Sequence, residues 1–156
     1  MSNEKNVRRI SSFSVDHDLI DEGIYVSRID GDITTYDMRT RKPNMGDYMD
    51  NVTMHSVEHM FATYIRNSGI GADVIYFGPM GCRTGFYLLV RNADNGVVLN
   101  EIKSVLSKIA FEATEMFGAS RVECGNYLEL SLDAARVEAK RYLDALNSRE
   151  QTFMYR

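Results

Sequence analysis

The sequence predicts an α+β fold, an antiparallel β-sheet with helices packed on one face, forming a single domain over residues 1–156. Three observations carry this reading. Strand-like and helical segments follow one another as β-β-α-β-β-α-(β)-α, the bracketed strand being short, without the regular alternation of doubly wound folds. The first two strands flank Asp30-Gly31, a dipeptide suited to the positive φ angles of a two-residue type I′ hairpin turn, which makes that pair antiparallel. A chain of 156 residues, 44% of them hydrophobic, is long enough to bury one sizeable core and too short for two.

The elements follow in order. Residues 1–11 are polar and basic with neither period, and are read as a mobile N-terminal arm. Ile24–Ile29 and Asp32–Arg39 are rich in β-branched and aromatic residues and form the hairpin. Pro43 and Gly46 break the pattern, and Asp50 or Asn51 caps a helix over Asn51–Asn67, with Gly69 as its stop. The spacing of Val52, His55/Ser56, His59, Ala62/Thr63 and Ile65/Arg66 is helical. Ala72–Phe77 and Gly85–Val90 read as two further strands joined by a loop containing Cys82. A second helix starts at Asp94-Asn95-Gly96 and carries the stripe Leu99, Ile102, Leu106, Ile109, Ala110, Ala113 and Phe117 up to Gly118. After a short connection around Cys124, Ser131 caps a third helix with the stripe Ala135, Ala139, Tyr142, Leu143 and Leu146, while Arg136, Glu138, Lys140 and Arg141 point outward. Residues 149–156 are expected to fray.

Composition narrows the function. The net charge of −4, with Lys and Arg scattered, argues against a nucleic-acid or anionic-membrane surface and for a small-molecule partner. Neither a secretory signal nor a membrane-spanning run is evident, so the expected setting is cytoplasmic. There the two cysteines are free thiols, ligands or catalysts rather than a disulfide.

His55-Ser56-Val57-Glu58-His59 is the most informative segment. Two of the three histidines lie four residues apart on a helix, where both imidazoles can reach one metal ion. Glu58 lies close to the same face, placed to exchange a proton beside that ion. The third ligand can come from Cys124, Cys82, His17 or a carboxylate, and Cys124 is preferred because Gly125 lets the backbone approach closely. A His-His-Cys set leaves a fourth position open, as catalytic sites do, and suits Zn(II), Fe(II) or Co(II). Cys82 then remains, in a glycine-flanked loop beside the cation of Arg83, as a second proton carrier. A Lewis acid flanked by a carboxylate and a thiol points to proton transfer α to a carbonyl or at a carbinol carbon.

Five segments in order carry a resemblance: Ser12-Phe13-Ser14-Val15-Asp16-His17, Tyr36-Asp37-Met38-Arg39 with Pro43-Asn44, His55 to His59, Pro79-Met80-Gly81-Cys82-Arg83-Thr84-Gly85-Phe86-Tyr87, and Glu123-Cys124-Gly125-Asn126-Tyr127 with Ser131-Leu132. Together they resemble the S-ribosylhomocysteine lyases of the LuxS type, which serve bacterial methyl-cycle recycling and make the autoinducer-2 precursor. The resemblance implies His55, His59 and Cys124 as ligands of one divalent ion per subunit, with Fe(II) native and Zn(II) or Co(II) as substitutes. It implies Glu58 and Cys82 as the acid–base pair, and Ser12, His17 and Arg39 as substrate-binding residues. The implied reaction opens the ribose of S-ribosyl-L-homocysteine, migrates its carbonyl through enediolates and β-eliminates L-homocysteine, leaving 4,5-dihydroxy-2,3-pentanedione. It also implies a homodimer with sites at the interface. Thr40-Arg41-Lys42 and Tyr76 depart from the common pattern, which has an aromatic–Cys–polar run and an acidic residue there. The competing readings are a metallopeptidase of the inverted His-x-x-Glu-His kind and a non-catalytic binding module stapled by the metal.

Overall fold

The computed structural model describes residues 7–156, and the part of the expected N-terminal arm at residues 1–6 lies outside them. Four strands, β1 (Gly23–Asp30), β2 (Ile33–Arg39), β3 (Val74–Pro79) and β4 (Gly85–Arg91), form a wholly antiparallel sheet in the order β1-β2-β4-β3. Three helices, α1 (Asn51–Arg66), α2 (Asn95–Phe111) and α3 (Leu132–Asn147), complete the α+β fold. No helix is long and apolar enough to cross a membrane among the described residues.

Strand alternation explains why the helices gather on one face. The register pairs Tyr36 with Leu88 and Met38 with Phe86, and all four are almost wholly buried. Against them pack Val57, Met60, Phe61 and Ile65 of α1, Ile102, Leu106 and Ile109 of α2, and Tyr142 and Leu146 of α3. Phe61, Phe77 and Phe86 stack in series at centroid distances of 4.4 and 4.9 Å, which fastens α1 to β3 and β4. Each helix starts as its cap residue dictates. Asp50, Asp94 and Ser131 accept from the backbone amides of Thr53, Val97 and Ala134, filling orphan donors of the first turn.

Several expectations need correction. The hairpin turn is centred on Gly31-Asp32, because Asp30 already pairs with Ile33, and positive φ is confined to Gly31. That is the pattern of a type II′ turn rather than type I′. The core stripe of α1 is Val57, Met60, Phe61 and Ile65, so the histidine face lies beside the core rather than in it. Helix α1 is capped at Asn67, ahead of Gly69. Helix α2 ends at Phe111, where the amides of Glu112 and Ala113 both turn back to the Lys108 carbonyl, so Ala113 and Phe117 belong to the following connection.

Glu138 does not point outward. Its carboxylate is 3% exposed and accepts from Arg41 at 2.6 and 3.1 Å, because the 40–50 loop folds over that side of α3. The segment 149–156 packs along β1. Phe153 bridges to Tyr25 beside the sheet edge, its carbonyl accepts from Val26, and its ring meets Tyr36 at 6.3 Å. Gln151 accepts from the Ile24 amide, so polar and apolar contacts together hold the tail along β1.

Removing one partner of a buried ion pair strands the other charge, at a cost of about 3 kcal/mol or more. Glu138→Gln is expected to lower Tm by roughly 6–12 °C in a thermal melt, the span that such a loss produces in a domain of this size. A Tm within about 2 °C of the parent would show that Arg41 finds equivalent solvation without the carboxylate.

Candidate metal centre

Helix α1 positions His55 and His59 one turn apart with their rings 4.6 Å from centroid to centroid and nearly perpendicular. Each imidazole is oriented by a backbone carbonyl. Nδ1 of His55 lies 2.9 Å from the Glu129 oxygen, and Nδ1 of His59 lies 3.0 Å from the Phe117 oxygen. A carbonyl can only accept, so both Nδ1 atoms carry a proton, and in the neutral imidazole the lone pair is then on Nε2. This is the tautomer that a metal-ligating histidine needs.

The two carbonyls bracket the connection between α2 and α3, which is thereby stitched to α1. The Ser131 amide adds a 2.8 Å bond to the buried Ser56 hydroxyl, and the Phe117 amide lies 3.4 Å from the Met60 sulfur. Between these stitches the chain turns at Ser120, whose carbonyl accepts from both Glu123 and Cys124, and delivers the Cys124 sulfur 3.4 Å from Nε2 of His55. The Asn126 amide donates to that sulfur. Donor atoms of His55, His59 and Cys124 all lie within 4.8 Å of one another. Neighbouring ligands of a tetrahedral N/S site are separated by ~3.5 Å, so these residues fit a divalent ion with little movement. Of the four sources of a third ligand left open by the sequence, the structure brings in Cys124. Glu58 is half-buried on the same turn of α1.

Cys82 opens into a different cavity, of about 410 Å³, lined also by Ser12, Phe13, His17, Arg39 and Tyr87. Cys124 borders its own cavity of about 330 Å³ with Arg121, Asn126 and Tyr127. No residue lines both. The sequence candidates therefore fall into two groups, His55, His59 and Cys124 in one and Cys82, Ser12, His17 and Arg39 in the other.

The second group is built on the sheet face opposite the helices. Arg39 and Asp37 lie two apart on β2, hence on one face, and both are about 2% exposed or less. Arg39 binds Asp37 through Nε at 3.1 Å and through its second terminal nitrogen at 2.6 Å. Burial opposes the guanidinium charge, but these bonds outweigh it and raise its pKa. The Tyr155 hydroxyl donates to Asp37 at 2.6 Å, and burial first, then the Asp37 charge, push its own pKa far upward. His17 opens a short 3-10 turn capped by Asp16, which accepts from the Asp18 amide, and Nδ1 of His17 lies 2.9 Å from the Val15 carbonyl. Arg83, expected to act on the thiol, spends a guanidinium nitrogen on the Met49 carbonyl and sits over the Tyr48 ring.

Sequence reasoning missed four contributors. The carbonyls of Phe117 and Glu129 leave no trace in side-chain identity. Gly118, expected as a helix stop, has a φ of +66°, and a Cβ there would lie 2.8 Å from Nδ1 of His59. Asp37 was legible in principle, because an acidic residue two before Arg39 on a strand must share its face.

The sequence model of the family described as S-Ribosylhomocysteinase (LuxS) matches residues 10–153. A curated S-ribosylhomocysteine lyase of Borreliella afzelii is 40% identical, covering 96% of this chain and 99% of its own length. Those of Clostridium beijerinckii and Finegoldia magna are 39% and 40% identical, covering 96% and 91% of this chain and 99% and 94% of theirs.

Gly118→Ala is expected to weaken metal binding by about 10–100-fold, the usual effect of disturbing a ligand's orienting partner, measured by competition with a chromogenic chelator. Parent-like affinity would mean that the Phe117 carbonyl and His59 keep their contact despite the added methyl group.

Proposed function

The chain belongs to the S-ribosylhomocysteinase (LuxS) family, and from that premise we propose that it cleaves S-ribosyl-L-homocysteine to L-homocysteine and 4,5-dihydroxy-2,3-pentanedione as a metal-dependent carbon–sulfur lyase. The observation that carries this reading is the three-residue donor set, whose two imidazoles are already locked in the ligating tautomer. An ion held by His55, His59 and Cys124 would supply Lewis acidity to a sugar oxygen. Fe(II) is the proposed native ion and Zn(II) or Co(II) its substitutes, since two nitrogens and one thiolate suit all three. The structural-staple alternative calls for a closed cage of four side chains, whereas the cluster among the described residues holds three.

The remaining steps are proton movements by the chain's own residues. Shifting the carbonyl of the opened ribose requires a proton to leave one carbon and another to reach its neighbour. Elimination then removes a proton α to the migrated carbonyl and expels homocysteine through its sulfur. Cys82 and Glu58 are the groups assigned to these transfers, a thiol and a carboxyl of different intrinsic acidity. Arg39, already charged and fixed by Asp37, and His17, whose Nε2 is free, suit the substrate's carboxylate and hydroxyls, with Ser12 beside them. A cavity of about 410 Å³ is of metabolite size.

Two copies make one complete site in this reading. The thiol cavity and the metal cluster share no lining residue, and each cavity has an exposed apolar residue in its lining, Phe13 at 64% and Leu128 at 79%. A second copy would cover both and bring Cys82, Ser12, His17 and Arg39 of one protomer against the metal of the other. A cytoplasmic setting suits two working thiols.

Purified protein loaded with Fe(II) or Co(II) is expected to release homocysteine from S-ribosylhomocysteine, followed with a thiol reagent; no release above a metal-free control would sink the lyase reading. Cys82→Ala and Glu58→Gln are expected to retain the metal and lose turnover, and Cys124→Ala to lose the metal. Mixing Cys82→Ala with Cys124→Ala under exchange should restore about a quarter of parent activity, because half the dimers are mixed and one site in each is intact. No recovery despite demonstrated exchange would place both groups in one protomer.

A further inference from the structure

The buried Asp37–Arg39 pair does not end at substrate contacts. The remaining terminal nitrogen of Arg39 donates to Thr84 Oγ1 at 2.9 Å, and Thr84 Oγ1 lies 3.1 Å from Cys82 Sγ. We propose that Thr84 is a positioning residue for the reaction, its hydroxyl fixing the Cys82 sulfur as a hydrogen-bond acceptor at the end of a chain running Asp37, Arg39, Thr84, Cys82.

The polarity of this chain follows from its chemistry. A guanidinium has only donors, so Thr84 Oγ1 accepts from Arg39. The hydroxyl has one proton of its own, and the partner the structure gives it is the sulfur. Thr84 is 1% exposed, so turning that proton elsewhere would leave it without a solvent acceptor. A sulfur that accepts is favoured as thiolate, the form able to take a proton from carbon. Asp37 and Tyr155 steady the far end, because the carboxylate takes two bonds from Arg39 and one from the tyrosine.

The loop geometry serves the same end. The Arg83 amide turns back to the Met80 carbonyl and Arg83 adopts φ +62°, a rarely populated conformation for a residue with a side chain, which sets Cys82 and Thr84 on either side of a tight turn. The other titratable groups around the cavity are His17 from the N-terminal segment and Tyr87 from β4, while Arg83 is occupied with Met49 and Tyr48. Arg39 is thus the cation that reaches the thiol, and it does so through Thr84.

This inference rests on the proposed role of Cys82 and is tested apart from turnover. Metal-loaded protein is alkylated with iodoacetamide across a pH series, and modification of Cys82 is separated from that of Cys124 by peptide mass spectrometry. Thr84→Val, and Thr84→Ala as a second way of removing the hydroxyl, are expected to slow Cys82 alkylation about tenfold at pH 7 and to move its profile about one unit higher, the effect of losing one bond to a charged acceptor. Thr84→Ser should restore the parent profile. Superimposable profiles for parent, valine and alanine variants would overturn the proposal, as would a serine variant that behaves like valine. Failure there leaves the lyase reading standing, whereas turnover retained by Cys82→Ala would remove the lyase role of Cys82 without touching the alkylation result.

Discussion

The contact on which the functional half of the molecule depends is a pair of hydrogen bonds, from Nδ1 of His55 and His59 to the carbonyls of Glu129 and Phe117. They fix which imidazole nitrogen is free and, equally, where the connection between α2 and α3 runs. Without secondary structure of its own, such a long segment has little else to define its path. Each bond is worth only about 1 kcal/mol net. Their leverage comes from acting together on one rigid helix, with the Ser56–Ser131 bond closing the segment's far end and so leaving Cys124 little choice of position.

The opposite sheet face poses a costlier problem. Burying Asp37 and Arg39 carries a desolvation penalty of several kcal/mol per ion, which is offset only where the hydrogen-bonding capacity of both groups is filled. Arg39 binds both Asp37 oxygens and Thr84, and Asp37 receives Tyr155 from the last turn of the chain. The tail is therefore part of the charge network, and its stacking on Tyr25 at 4.9 Å aligns the hydroxyl that completes the shell. A charge so fully bound is rigid, which would lower the entropy lost in the proposed docking of a substrate anion against it.

Much of this was legible from residue types and periods. The hairpin, the helix caps and the His-x-x-x-His face follow from local rules, and Asp50, Asp94 and Ser131 do in the structure what their chemistry announces. What escaped shares one cause: dependence on distant chain. Glu138 reads as outward-facing because it is charged and lies off the apolar stripe of its helix, whereas Arg41, which covers it, lies 97 residues away in sequence. The tail looked frayed because its anchors, Ile24, Tyr36 and Asp37, belong to the other end of the chain. Gly118 showed its glycine character but not its reason, since the neighbour that forbids a side chain is His59. Arg83 was the sequence neighbour of the thiol, yet spatial proximity went to Arg39 through a strand pairing that sets Arg39 opposite Gly85.

The proposed division of the site between two protomers would also resolve a chemical conflict. A thiolate is a strong ligand for the same ions that His55, His59 and Cys124 are suited to hold. Were Cys82 on a flexible loop beside the cluster, its sulfur would take the fourth position and turn an open centre into a closed one. In the proposed dimer, tethering that sulfur to Thr84 and seating it on the partner's sheet would separate the proton carrier from the Lewis acid by a rigid body rather than by a loop. The substrate would then fit between a sulfur that can reach carbon but not metal, and an ion whose open position stays free for oxygen. The proposed arrangement would make the intersubunit seam a condition of the chemistry, because neither protomer alone would bring Cys82 to its own ligand set.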